Sequence, residues 1–132
     1  MPDVAPEILD RLRSVCLALP EAYEEPAWIG RRWCVRKRTF AHVATLEAGR
    51  TGAFEAAASP DRENTVVTFR AADEELNALA NAGPPFFFAG WGRNVVGLVL
   101  DEDTDWGEVA ELLTESFCVL APQKLVARVD RP

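Results

Sequence analysis

The stretch that decides the fold is Gly90–Leu120, GWGRNVVGLVLDEDTDWGEVAELLTESFCVL. Its segment Asn94–Leu100 is apolar and rich in β-branched residues, which predicts a strand buried on at least one face. An acidic run then ends the strand. Thr104 or Asp105 is placed to cap a following helix, and Glu108 completes a capping-box pattern with Asp105. The sequence therefore predicts a strand followed directly by a helix.

That helix is predicted to be amphipathic. Its apolar residues recur at three- and four-residue spacing, which is the spacing of one helix face. Carboxylates occupy the other side, as is typical of a solvated helix face. We therefore expect the core-facing side to consist of Trp106, Val109, Ala110, Leu113, Phe117 and Leu120, and the opposite side to carry Glu108, Glu111 and Glu115.

Outside this stretch the chain alternates between helix and hairpin signals. A single apolar stripe predicts a first helix over Pro6–Leu19, which Pro20 ends. The acidic link Glu21–Pro26 is predicted to be an exposed loop, and Pro85–Trp91 a loop that enters the next strand. The other predicted elements are strands over Arg32–Arg36, Thr39–Leu46, Phe54–Ala58 and Thr65–Arg70, a short helix capped by Asp73, and a last helical turn within Gln123–Val129.

This order of elements, with hairpin connections predominating, predicts an α+β fold. We expect a twisted antiparallel β-sheet with helices packed on one face. With 132 residues, the chain is long enough for one domain, over residues 1–132, and too short to favour a second. No apolar run approaches the roughly 18 residues needed to span a bilayer, and no basic leader with an apolar centre is present. Three widely spaced cysteines also favour a reducing compartment. We therefore expect a cytoplasmic protein with no membrane partner, and we favour a monomer.

Charge is distributed unevenly along the chain. The formal net charge of -7 argues against binding nucleic acid or an anionic membrane through the bulk field of the molecule. Five of the eight residues from Arg31 to Arg38 are nevertheless basic, whereas Asp101 to Glu115 carries seven carboxylates and no cation. The sequence therefore predicts a strong dipole.

The common signatures of enzymes are missing. The chain has no nucleophile elbow, no Gly-rich phosphate loop, no zinc-protease helix motif and no dinucleotide fingerprint. His42 is its only histidine, and it has no second ligand at a spacing that would suit a metal, which favours a structural or surface role. We expect a binding protein without catalytic residues, metal or cofactor.

Four segments between about Trp28 and Val126 carry a family resemblance: WCVRKRTFAHV, TVVTFRA, GWGRNVVGLVLD and DWGEVAELLTESFCVLAPQKLV. Their order and spacing resemble the YjbR-like family, also called MmcQ. In that family a hairpin reading roughly F-x-V-x-x-K-x-F-A precedes a G-W strand and a closing E-S-[YF] helix followed by A-P-[KR]. The resemblance implies a fold similar to that of CyaY, DNA binding through a "double wing" of hairpins, and no catalytic residues. Arg36, Lys37 and Arg38 stand where many members have glycines, and Phe117 stands where tyrosine is common.

Two functions of different class remain open at this point. In the first, the protein binds DNA weakly and largely without sequence preference, through a basic hairpin whose cations contact phosphates. An equally favoured alternative is that these cations pair with the acidic surface of the protein itself. The candidate residues are Arg31, Arg32, Arg36, Lys37 and Arg38, with Arg50 and Arg93 if they fold nearby.

In the second, the protein is a small-molecule or protein-partner module with an aromatic groove. Arg93 would anchor an anionic group there. A core role for the three consecutive phenylalanines is the favoured alternative. A metal-chaperone role rests on the fold analogy alone. The predicted groove residues are Trp28, Phe86, Phe87, Phe88 and Trp91.

Overall fold

The computed structural model describes residues 3–46, 63–83, 85–88 and 94–129. Their helices are α1 (Pro6–Cys16), α2 (Asp73–Ala80), α3 (Trp106–Leu120) and α4 (Gln123–Val126). Their strands are β1 (Tyr23–Pro26), β2 (Arg31–Val35), β3 (Arg38–Leu46), β4 (Asn64–Arg70), β5 (Phe86–Phe88) and β6 (Val95–Leu100). None of the helices in these ranges has the length and apolar character needed to cross a membrane.

The six described strands form one antiparallel sheet in the order β1-β2-β3-β4-β6-β5. Apolar side chains of all four helices pack into one cluster with alternate residues of the strands, so the helices cover a single face. The α+β prediction, with helices on one face of an antiparallel sheet, is therefore confirmed. The physical basis is the strict alternation of strand residues between the two faces.

Helix α3 lies over β3 and β4 at the centre of the helical face. It begins as predicted, because the Asp105 carboxylate accepts a hydrogen bond of 3.1 Å from the backbone N–H of Glu108. Leu113 and Phe117 are completely buried, and the Phe117 ring meets Phe40 edge-on with 5.4 Å between centroids. The predicted core face of this helix is confirmed.

A β-bulge interrupts the pairing of β2 with β3. Trp33 lies opposite Ala41, but the next residue, Cys34, lies opposite Thr39, so Phe40 is the extra residue. A bulge places two successive residues on nearly the same side of the sheet. Phe40 and Ala41 both join the helix-side core for this reason, although strict alternation would separate them.

Two segments predicted as loops contain strands, and one predicted helix boundary was wrong. The link Glu21–Pro26 contains β1, which pairs with β2, and the predicted loop Pro85–Trp91 contains β5, which pairs with β6. Both are edge strands that form only because a partner strand is available. Helix α1 ends at Cys16 rather than Leu19.

The start of α2 also differs from its prediction. Asp73 is the first residue of the helix, Ala72 occupies the cap position, and no side chain caps this end. The Asp73 carboxylate lies in the first turn, where it interacts favourably with the helix dipole without closing a cap. The predicted strand Phe54–Ala58 lies outside the described residues.

The face of the sheet away from the helices carries a second buried cluster. Phe87 belongs to it, and its ring lies directly over Gly97 of β6, where an added Cβ would come within 2.1 Å of the ring. Gly97 is therefore required for this close approach. The cluster consists of Ala44, Leu46, Val66, Phe87, Val95 and Val99.

Candidate nucleic-acid interface

The turn between β2 and β3 consists of two residues, Arg36 and Lys37. Both have positive φ, at 51° and 68°, which is the backbone geometry of a tight hairpin turn of type I′. Glycine and asparagine adopt this geometry most readily, so glycines at this turn in relatives would have a simple conformational reason. The strands predicted over Arg32–Arg36 and Thr39–Leu46 left Lys37 and Arg38 for the turn. The observed turn is displaced by one residue, because Arg38 is already the first residue of β3.

Three of the five hairpin cations are paired with glutamates from the segment that precedes β2. Arg31 binds Glu24, and Arg32 binds Glu25. The Arg36 guanidinium donates to Glu21 at 3.1 Å. Of the two alternatives that the sequence left open, internal pairing is the one observed for these three cations.

Glu24 is the best-partnered of these glutamates, with only 11% of its side chain exposed. Arg13 of α1 donates two hydrogen bonds to it, at 2.8 and 2.9 Å, and the Trp33 indole N–H donates a third at 3.0 Å. The bonds from Arg13, followed by the bond from Arg31, lower the pKa of Glu24 to about 2. The prediction of a solvated loop for Glu24 is wrong, and Arg31 is committed to this cluster rather than to a ligand.

The sequence contained a signal for these pairs that the loop interpretation missed. Two adjacent glutamates precede a short turn, and two adjacent arginines follow it. In the β1–β2 hairpin, Glu25 lies directly opposite Arg32, and Pro26 lies opposite Arg31. Cross-strand pairs of opposite charge stabilise such a hairpin. Once Glu21–Pro26 is treated as a strand, the pairing follows from register alone.

Lys37 and Arg38 remain at the tip of the β2–β3 hairpin. Both are exposed, and neither forms an ion pair with a carboxylate of the described residues. The predicted contacts Arg50 and Arg93 lie outside the described ranges. Among the residues that are described, two of the five hairpin cations are therefore without an ion pair.

The predicted dipole has a structural basis in the sheet. Antiparallel pairing places the start of β3, the end of β4 and the start of β6 at one end, with the β2–β3 turn. The end of β6 lies at the other end, where Leu100 pairs with Thr65. The acidic run that begins at Asp101 therefore starts at the end of the sheet opposite Lys37. The first carboxylates of the run, at residues 101–103, are therefore separated from Lys37 by the length of the strands. Helix α3 carries the later carboxylates back toward the hairpin end, where Ser116 contacts Phe40.

The predicted aromatic groove is not assembled by those of its residues that the structure describes. Trp28 lies in the turn between β1 and β2, whereas Phe86 and Phe87 lie on β5, at the opposite edge of the sheet. Phe87 is 5% exposed in the second buried cluster, and Phe86 packs against the helix-side core. Phe88 lies on β5 in the register that pairs it with Val96. Trp91 is outside the described ranges.

Trp28 instead lies at the rim of a different cleft, of about 270 Å³, on the sheet face away from the helices. Its side chain is 99% exposed. Cross-strand pairing sets Arg32, His42 and Thr68 side by side along one row of this face. His42 donates a hydrogen bond of 2.6 Å from Nε2 to the carbonyl of Ile29, which fits the structural role predicted for it.

The profile of the YjbR family matches residues 17–119, which is most of the chain. The chain belongs to the YjbR family. The resemblance found in its motifs is therefore confirmed. A crystal structure of a protein from Pseudomonas syringae, solved by a structural genomics consortium, has a similar fold, with a TM-score of 0.65 and 12% identity. The alignment covers 89% of this chain and 100% of that one, and at this identity it supports a shared fold alone. No curated protein is significantly similar in sequence.

The described part of this YjbR-family chain offers few groups for covalent or metal chemistry. No three His, Cys, Asp or Glu side chains in those ranges are grouped closely enough to hold a metal ion. Burial raises the pKa of the Cys16 thiol, and burial is also the main cause of the raised pKa of Cys34. Thiols with raised pKa values are poor nucleophiles at neutral pH.

Proposed function

We propose that this YjbR-family protein binds nucleic acid through the tip of the β2–β3 hairpin, weakly and with little sequence preference. The observation that carries the proposal is the pair Lys37 and Arg38, which are exposed and have no carboxylate partner among the described residues. Lysine and arginine contacts to phosphate position a protein on nucleic acid without reading its bases. The hairpin is thus a phosphate-contacting element.

The position of the first carboxylates of the acidic run, at residues 101–103, favours this function despite the net charge of -7. Strand β3 has nine residues and is therefore about 30 Å long. Repulsion between exposed charges is screened beyond about 8 to 10 Å at ordinary ionic strength. Phosphates at the hairpin tip would thus lie several screening lengths from the acidic end of β6.

The ion pairs of the hairpin set the strength of binding. Two unpaired cations correspond to a slope of about -1.8 in log K against log salt for duplex DNA, since each neutralised phosphate contributes about -0.9. Arg36 can add a third contact by exchanging Glu21 for phosphate, because both side chains are nearly half exposed and such surface pairs are worth 0 to 1 kcal/mol. Arg31 contributes no contact while Glu24 holds it.

A salt-resolved titration of a labelled 20-base-pair duplex, followed by fluorescence anisotropy, tests the proposal. We expect micromolar affinity with a slope between about -1.8 and -2.7, the values for two and three contacts. The double substitution Lys37→Glu with Arg38→Glu should abolish binding. Its matched control is Lys124→Glu with Arg128→Glu, at and just after α4, which changes the charge equally on a different surface and should keep the affinity within a few-fold.

Two outcomes would overturn the proposal. The first is an absence of salt-dependent binding by the wild type at micromolar concentrations. The second is an equal loss of affinity in the hairpin variant and in the α4 variant, because that would assign binding to overall charge rather than to the hairpin tip. Unchanged unfolding midpoints in both variants are expected, since all four side chains are exposed.

A further inference from the structure

We propose that the cleft beside Trp28 takes an unpaired base, so that the protein prefers single-stranded to duplex nucleic acid. The inference rests on the proposed function, because it names the form of nucleic acid that the same molecule binds. It goes beyond the hairpin tip, since the cleft residues lie along β2 and its neighbours rather than at the Lys37 turn.

Trp28 has no packing role that would explain its position. Trp33, five residues later, is completely buried, whereas Trp28 is 99% exposed. A large indole ring left in water forgoes the stabilisation that burial would give. Exposed aromatic rings are the platforms on which proteins stack unpaired bases, because every base has a π-face to offer.

The turn that carries Trp28 is held firmly against the sheet. The Ala27 N–H donates to the Gly30 carbonyl at 3.2 Å, and His42 donates to the carbonyl of Ile29 at 2.6 Å. Gly30 has φ of +72°, and an added Cβ there would lie 1.8 Å from the carbonyl oxygen of Val43. The turn therefore approaches β3 more closely than any other residue type would permit. Because the backbone of the turn is already fixed, only the Trp28 side chain has to be ordered on binding.

The size and lining of the cleft suit one ring system with an adjacent negative charge. Its volume of about 270 Å³ is just below the roughly 300 Å³ at which ligand pockets begin, which suits a single ring system better than a large ligand. Arg32 lies along its lining, and its ion pair with Glu25 is exposed enough to exchange the carboxylate for a phosphate. Arg32 can in this way receive the phosphate of a base that is stacked on Trp28.

The cleft and the hairpin tip lie on a common path along β2. Trp28 is in the turn before this strand and Lys37 is in the turn after it, and the five residues between the turns span about 17 Å. Arg32 lies on the same strand between them. A flexible single strand can stack one base on Trp28 while its phosphates run toward Lys37. A duplex keeps its bases stacked inside and can use only the phosphate contacts.

The test compares three labelled ligands of matched length: a thymidine 15-mer, a 15-base-pair duplex and an abasic 15-mer with the same phosphates. The variants are Trp28→Leu, which removes the π-face, and Trp28→Phe, which keeps one. Because Trp28 is exposed, both should fold with unchanged unfolding midpoints. We expect Trp28→Leu to lower thymidine 15-mer affinity by about 5- to 150-fold, the range for loss of one stacked base. Trp28→Phe should lose much less.

The other ligands separate stacking from phosphate binding. Wild-type affinity for the abasic strand should match that of Trp28→Leu for the thymidine 15-mer, and Trp28→Leu should leave duplex affinity unchanged. If Trp28→Leu and the wild type bind the thymidine 15-mer equally, the cleft does not take a base, although phosphate binding at Lys37 and Arg38 still stands. If the wild type binds none of the three ligands, the proposed function fails and this inference fails with it.

Discussion

Ser116 and Phe40 are joined by a hydrogen bond between two elements that lie 76 residues apart in the chain. The Ser116 hydroxyl donates to the Phe40 carbonyl at 2.5 Å and accepts the backbone N–H of Arg70 at 2.7 Å. Phe40 is the bulge residue, and the strand register leaves it without a partner in either neighbouring strand. A side chain of α3 therefore closes a gap in the sheet between β3 and β4.

Ser116→Ala should destabilise the protein by about 1 to 3 kcal/mol, because the buried Phe40 carbonyl and the part-buried Arg70 N–H both lose the hydroxyl. Ser116 is completely buried, so water cannot readily replace the hydroxyl. Urea unfolding measures the change. Thr114→Ala is the control on the same helix, since the Thr114 hydroxyl only donates back to Ala110 within α3. Equal unfolding midpoints for the two variants would show that the hydrogen bonds of the Ser116 hydroxyl contribute nothing to stability.

Glu24→Gln should remove much of the acid-dependent stability of the protein. The folded pKa of Glu24 is about 2, below the value of about 4.3 for an unfolded glutamate. Its contribution is therefore fully present above the unfolded pKa and is lost as the pH falls toward 2. At neutral pH we expect a loss of at least about 2 kcal/mol, because several charge-assisted hydrogen bonds are weakened at once.

The measurement for Glu24 is urea unfolding at several pH values between 7 and 2. The wild type should lose stability across this window more steeply than Glu24→Gln. Glu21→Gln is the surface control, because its pair with Arg36 is nearly half exposed and should be worth at most about 1 kcal/mol. If the stability of the wild type and of Glu24→Gln fell in parallel with pH, the Glu24 cluster would not be the source of the acid-dependent stability.

Leu113→Ala should cost about 2 to 5 kcal/mol, as expected for truncation of a completely buried leucine. Trp106→Ala should cost less, because Trp106 is only partly buried, although it also forms a cation–π contact with Arg11 at 5.2 Å. Glu111→Ala should be nearly neutral because Glu111 is exposed. Denaturant midpoints test this ranking. A damaging Glu111→Ala would mean that α3 presents a different face to the core.

Gly97→Ala should cost about 1 to 3 kcal/mol through overpacking, since the new methyl group would enter the space of the Phe87 ring. The ring is 5% exposed and has little freedom to withdraw. Combining the change with Phe87→Ala should cost less than the sum of the two single changes, because the clash is then absent. Strict additivity in a double-mutant cycle would show that the two residues do not compete for this space.

The sequence by itself determined β6, α3 and the cap of α3. The apolar spacing of α3 and the cap at Asp105 are local properties, because each depends on residues within a few positions of one another. The motif order was also sufficient to identify the YjbR family, as the match over residues 17–119 confirms. Trp33 and Val35 lie two positions apart in the strand that was predicted over Arg32–Arg36, and both are completely buried, as alternation along a strand requires.

Only the tertiary structure decided which charges and rings remain available to a ligand. The sequence shows that Arg31, Arg32 and Arg36 are basic. Only the structure shows that they form ion pairs with glutamates of the acidic segment before them, which forms the edge of the sheet. Trp28 and Phe87 are both aromatic, yet one is exposed in a turn and the other is buried over Gly97 at the opposite edge. The physical reason is that strand pairing and register depend on contacts between distant segments. The type of a residue does not show which residue of the neighbouring strand will lie opposite it.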